Sequence, residues 1–115
     1  VVRRRFPGLR LYARAGGGVV RQARRTGVHV WEEAFADRGY RNSGELIPRG
    51  EHGAVLEGLA PVRERLAGVR DGRGVRADTG AWVPLEVRTV CVHSDTPDSV
   101  RLARVASEIL GLARR

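Results

Sequence analysis

An α/β fold, with parallel strands alternating with helices, is what this sequence predicts on three observations. Leu9 to Trp31 reads strand, glycine turn, helix, strand in a short span. That compact βαβ pattern implies parallel pairing and a right-handed crossover. Thr89 to Val92 is a near-continuous apolar β run that leads into an amphipathic helix, as expected of a strand buried on both faces. Between them, Leu59, Val62, Leu66 and Val69 fall at helical spacing, which predicts a further helix.

The elements follow in chain order. Leu9 to Ala13 is a candidate strand with Leu9, Leu11 and Ala13 on one face. Gly16, Gly17 and Gly18 turn the chain, and Val19 to Thr26 reads as a short helix with Val19, Val20 and Ala23 inward. Gly27 suits the position just past a helix end, where a left-handed conformation is needed. Val28 to Trp31 is the next strand, and it breaks into a charged loop running from Glu32 to Arg49, punctuated by Gly39, Gly44 and Pro48. In the helix around Val62 and Leu66, Arg63, Glu64 and Arg65 fall on the exposed side and Gly68 is the expected end. Asp71-Gly72-Arg73-Gly74 reads as a tight hairpin turn before a short strand, Val75 to Ala77. Asp78 to Gly80 turns again, and Pro84 demotes Trp82 to Val87 to an edge or irregular strand. Thr96 is the expected N-cap of the last helix, with Pro97 in its first position and Asp98 favourable to its dipole. That helix is expected to run to about Leu112, burying Leu102, Val105, Ala106, Ile109 and Ala113 while Arg101, Arg104 and Glu108 face water.

Composition narrows the function classes. A chain of 115 residues suits one domain. There is no Met, and the opening Val-Val-Arg-Arg-Arg is compatible with a chain cut from something longer. No apolar run approaches the length of a membrane span, so a cytoplasmic location is expected. The single cysteine, Cys91, rules out an internal disulfide framework. The net charge of +8 comes from 21 basic residues that are all Arg. They are spread along the chain with little aromatic interleaving, so nucleic-acid binding is a minor alternative.

Chemistry-bearing residues gather where strands end. Glu33, Asp37, Arg38, Tyr40 and Arg49 follow one predicted strand, and His93 and Asp95 follow another. In α/β sheets, ligands sit at the carboxyl ends of strands. Cys91, His93 and Asp95 alternate as a catalytic triad on one strand face would. Residues two apart are nevertheless separated by about 6.6 Å along a strand, so Cys91 is better read as a core residue. The three histidines are isolated from any metal-binding spacing. Gly16-Gly17-Gly18 fits neither the P-loop nor the dinucleotide fingerprint, and reads as a turn rather than a phosphate cradle.

Two blocks carry a family resemblance. Glu33-Ala34-Phe35-Ala36-Asp37-Arg38-Gly39-Tyr40, followed by Gly44-Glu45-Leu46-Ile47-Pro48-Arg49 and Gly53-Ala54-Val55, resembles the E-x-F-A-D-R-x-Y…G-x-L-V-P-R…G-A-V block of the LamB/YcsF family. Val90-Cys91-Val92-His93-Ser94-Asp95-Thr96-Pro97 resembles that family's C-V-H-G-D-T-P block. The family supplies the A-type subunit of the prokaryotic ATP-dependent 5-oxoprolinase. The resemblance implies the C-terminal part of a (β/α) barrel of the glycoside hydrolase/deacetylase type, with the family's N-terminal blocks absent. It implies ATP as co-substrate, 5-oxo-L-proline as substrate, L-glutamate as product and two further subunits as partners.

Within that scheme Glu33, Asp37, His93 and Asp95 are the candidate acid–base or cation-orienting groups. Arg38, Tyr40 and Arg49 are the candidate substrate- or phosphate-binding groups, since guanidinium grips either anion bidentately. No metal ligand is assigned. Ser94 stands where the family has Gly; if that Gly needs positive φ or a close approach to ligand, Ser costs stability or crowds the site. The chain alone is expected to be inactive, because a barrel draws its catalytic groups from several strand ends. A non-catalytic interaction subunit is the alternative.

Overall fold

The computed structural model describes residues 2–111. A single turn of helix, α1 (Val2–Arg5), precedes β1 (Arg10–Arg14), α2 (Gly18–Arg25) and β2 (His29–Phe35). A long loop then leads to α3 (Leu59–Arg70), the short strands β3 (Val75–Arg76) and β4 (Trp82–Val83), β5 (Thr89–Cys91) and α4 (Ser99–Ile109). β1, β2 and β5 form a three-stranded sheet in that order. Both pairings are parallel, from Arg10 opposite His29 to Arg14 opposite Glu33, and from Glu33 opposite Thr89 to Phe35 opposite Cys91. The α/β class with parallel strands is therefore the one the sequence predicts.

Strand alternation gives the sheet two unlike faces. Ala13 and Ala34 are buried on one face, Ala34 against Tyr40 and Val75, while Val90 and Val92 pack against the α3–α4 core. Tyr12, Trp31, Glu33, Phe35 and Cys91 project from the other. Tyr12 is half exposed there and stacks on Trp31, with ring centroids 5.7 Å apart. The main core lies on the helix side, where Ala36, Val62, Leu66, Leu102, Val105 and Ala106 join α3 and α4 to the end of β2.

α2 ends as its sequence predicts. The Val28 N–H donates to the Ala23 carbonyl at 2.9 Å and Gly27 N–H to Arg24 at 3.2 Å, with Gly27 at φ +74°. This double closure is the Schellman motif, which needs a residue tolerant of positive φ. The same motif overturns the hairpin expected at Asp71-Gly72-Arg73-Gly74. There Gly72 N–H meets the Val69 carbonyl and Arg73 N–H the Gly68 carbonyl, so this turn ends α3. Gly68 lies inside that helix instead of closing it, because its missing side chain admits the Trp82 ring. The hairpin lies one turn later, where β3 and β4 pair antiparallel and Pro84 stops β4.

Other departures have physical causes. β2 continues through Glu32 and Glu33 to Phe35, because the Glu32 carboxylate is paired with Arg24 at 3.0 Å and β5 supplies ladder bonds to the strand's far end. Val19 and Leu9 are exposed, and Val20 and Ala23 alone bury the α2 face. β5 is half-buried, lying at the sheet's edge among the described residues. Arg65 is buried rather than solvated. α4 begins at Ser99 after Asp98, which takes the N-cap position in a left-handed conformation, so Thr96 and Pro97 precede the helix. It ends at Ile109; Leu112 and Ala113 lie outside the described residues.

Gly39 holds the loop after β2 closed. A Cβ there would lie 1.9 Å from the Gly53 carbonyl oxygen and 2.9 Å from the Ile47 side chain. Gly39→Ala is expected to destabilise the fold by about 1–3 kcal/mol or more. Gly8→Ala, where a Cβ meets nothing within 4 Å, should stay within about 0.5 kcal/mol. Urea unfolding of the two variants checks the contrast.

Candidate active site

Two residues past the end of β2, the Asp37 side chain is completely buried. A carboxylate removed from water needs donors in its place, and Asp37 has three. The Thr96 hydroxyl donates to Oδ2 at 2.7 Å, and the His93 backbone N–H reaches the same oxygen at 3.2 Å. Oδ1 lies 2.8 Å from His93 Nδ1. An ionised carboxylate only accepts, so Nδ1 is the ring nitrogen that donates to Asp37. Phe35 stacks on the imidazole, with centroids 5.3 Å apart and 19° between planes. This fixes the ring from the strand side.

The local sequence explains how these groups meet. Parallel pairing sets Phe35 beside Cys91, and the Ala36 N–H continues the ladder to the Cys91 carbonyl at 2.9 Å. Asp37 and His93, each two residues past that pair, then project from the same side. A turn of His93–Thr96, with Thr96 N–H on the His93 carbonyl, brings the hydroxyl back to the carboxylate. Thr96 therefore serves Asp37 and not the helix start.

Burial alone would raise the Asp37 carboxyl, but the hydrogen bonds from Thr96 and His93 outweigh it and hold the group below its ordinary value. Glu33 faces the same side and is half-buried. Burial lifts its carboxyl above the ordinary range, opposed in part by His93. Cys91 is half-buried, with its thiol pushed up by burial and by the nearby Glu33 and Asp37 carboxylates. The two carboxyls on this side of the sheet are thus driven in opposite directions.

The remaining expected site residues lie elsewhere. Arg38 is buried and donates inward, Nε to the Ala54 carbonyl at 2.8 Å and Nη2 to Ile47 at 2.7 Å. Tyr40 is fully buried, and its hydroxyl accepts the Phe35 N–H at 3.0 Å. Both support the loop from within. Asp95 and Arg49 are exposed and outside the Asp37–His93 group. The bond from His93 runs to Asp37, so Cys91, His93 and Asp95 form no triad. Ser94 carries no left-handed strain, since Asp98 is the one non-glycine at positive φ among the described residues. The glycine turn before α2 is closed by Glu32, whose carboxylate lies 3.5 Å from the Gly16 N–H. Among the described residues no cluster of three or more His, Cys, Asp or Glu side chains is arranged to hold a metal ion.

Sequence reasoning missed Thr96 and Arg65. Thr96 read as a cap because Thr-Pro commonly opens helices. Arg65 lies three residues after Val62 and four before Val69, within the apolar stripe, and this spacing was the available signal. A cavity of about 270 Å³ opens beside Thr96, between Leu56, Leu59 and Leu102.

Acid unfolding tests the carboxylate. The Asp37 contribution is fully present above the unfolded aspartate value of about 3.9. It is lost as pH falls through the lower folded value. Asp37→Asn should lower stability at neutral pH by about 1.5–3 kcal/mol and flatten the acid limb. Glu33 has the opposite sign: a raised folded value disfavours the fold as pH climbs through it, so Glu33→Gln should relieve that loss. Thermal melts from pH 3 to 7 read both.

Residues 1–113 match the LamB/YcsF family. The A-type 5-oxoprolinase subunit of Pyrococcus furiosus is 47% identical over 89 residues, spanning 76% of this chain and 34% of its own length. The crystal structure of the lactam utilization protein from Thermus thermophilus is similar with a TM-score of 0.80 and 32% identity. That match covers 96% of this chain and 44% of the solved one. The chain thus spans between a third and a half of the relatives it resembles, across both strand ends that build the Asp37–His93 pair. It belongs to the LamB/YcsF family.

Proposed function

We propose that this chain contributes to ATP-dependent hydrolysis of 5-oxo-L-proline to L-glutamate, as part of an A-type 5-oxoprolinase subunit working with two further subunits. The observation that carries this reading is the buried Asp37 carboxylate bonded to His93 Nδ1 at 2.8 Å. It gives an oriented imidazole at the carboxyl ends of two parallel strands, where α/β enzymes place their chemistry.

Opening a lactam adds water across its C–N bond. The water oxygen joins the carbonyl carbon, one water proton is removed, and the ring nitrogen takes up a proton as it leaves. His93 Nε2 suits both transfers, as base toward the water and as acid toward the nitrogen. Asp37 keeps the ring oriented and stabilises the imidazolium formed between the two. Glu33 faces the same side, its carboxyl raised by burial. ATP supplies the activation that a poor electrophile such as a lactam carbonyl needs.

A domain exchange tests the proposal. Residues 9–111 replace the matching segment of the Pyrococcus furiosus protein, which is assayed with its partner subunits for ATP-dependent release of glutamate. The exchanged protein is expected to be active, and His93→Ala or Asp37→Ala to reduce the rate about 10²–10⁴-fold. A folded but inactive exchange would overturn the reading. The isolated 115-residue chain is expected to release no glutamate.

A further inference from the structure

We infer that Arg65 is a positioning residue for Asp37, acting through the peptide groups on either side of it. Its side chain rises from α3 and is only 4% exposed. Nη1 donates to the Phe35 carbonyl at 2.8 Å and to the Arg38 carbonyl at 2.7 Å. These carbonyls bracket Ala36 and Asp37, the two residues across which β2 gives way to the loop. One nitrogen therefore sets the distance between the strand's end and the loop's start. Nη2 reaches the Arg76 carbonyl at 3.5 Å, tying the same point to the β3–β4 hairpin.

Tyr40 completes the clamp. The Arg65 guanidinium lies over its ring at 4.8 Å, and its hydroxyl takes the Phe35 N–H. Both backbone polar groups of Phe35, the residue stacked on His93, are thus held by one cation–aromatic pair. The side chain serves this purpose against its own solvation: Nε is buried with no partner among the described residues, and burial lowers the guanidinium from its ordinary value. A leucine or methionine would fill the space without burying a charge. What a guanidinium adds is a single group that donates to two carbonyls at once.

The inference rests on the reading of Asp37 and His93 as the working pair, and its test needs no turnover. Other titratable groups that face the pair are Glu33 and Cys91 on the strands. The readouts in the 115-residue chain are the His93 Nδ1–H signal in nitrogen-15 NMR and the titration of the Asp37 carboxyl in carbon-13 NMR. In Arg65→Met the slowly exchanging Nδ1–H signal is expected to disappear and the Asp37 carboxyl to rise from its depressed value. Arg65→Lys, which keeps the charge and can donate to both carbonyls, is expected to retain most of both signatures. Leu66→Ala, which weakens α3 packing without touching the clamp, should lower the melting temperature and leave both unmoved.

The inference fails if folded Arg65→Met keeps the wild-type signatures, or if Leu66→Ala loses them equally. Should Arg65→Met not fold, Arg65→Gln, with a single amide donor, decides. Signatures between wild type and complete loss support the clamp, and unchanged ones overturn it. Failure of the glutamate assay with intact NMR effects would sink the functional reading alone.

Discussion

A carboxylate with no access to water has to be surrounded by donors before the chain around it can fold, and this requirement organises the protein. Asp37 draws in the His93 peptide, the His93 ring and the Thr96 hydroxyl. It thereby joins the end of β2 to the segment between β5 and α4. Its own carbonyl accepts the Leu56 N–H at 2.8 Å, which anchors the far side of the long loop. Arg65 then fixes the peptides before and after it. The site is thus a junction of the sheet, the loop and two helices. Chemistry and folding depend on the same atoms.

Much of this was legible in the sequence, and the losses have a common cause. Periodicity found the parallel α/β order, because a stripe of Val62 and Leu66 or a run of Thr89 to Val92 is a local property. The motif resemblance found Asp37 and His93 for the same reason. Their bond was not legible, since the partners lie 56 positions apart and meet only once the parallel register is set. Arg38 and Tyr40 looked like ligands by residue type, yet their partners are backbone groups at Ala54, Ile47 and Phe35. No side-chain pattern announces a backbone acceptor. Thr96 failed similarly: a local capping signal was outweighed by a distant carboxylate.

The arginine bias takes on a different meaning in the structure. Arg14 donates to the Gly44 carbonyl at 2.6 Å, and Arg38 and Arg65 to four more carbonyls between them at 2.8 Å or less. Arg10 and Arg88 lie over Trp31, and Arg73 and Arg76 over Trp82. A planar cation with several donors can bridge carbonyls and cover an indole face, whereas an ammonium is a hydrated point charge. Part of the basic composition is therefore fold-building material rather than a field directed at an outside partner.

β1 lies at one edge of the three-stranded sheet, and its residues alternate Arg10, Leu11, Tyr12, Ala13, Arg14. Were two copies to meet along that edge in antiparallel fashion about Tyr12, each Arg10 would face the other's Arg14. Like charges directly opposite one another disfavour such a pairing. A strand carrying acidic or neutral side chains at those places would meet no such repulsion. Among the described residues that edge has no further strand beside it, and like charges at those two places disfavour its pairing with a second copy of itself.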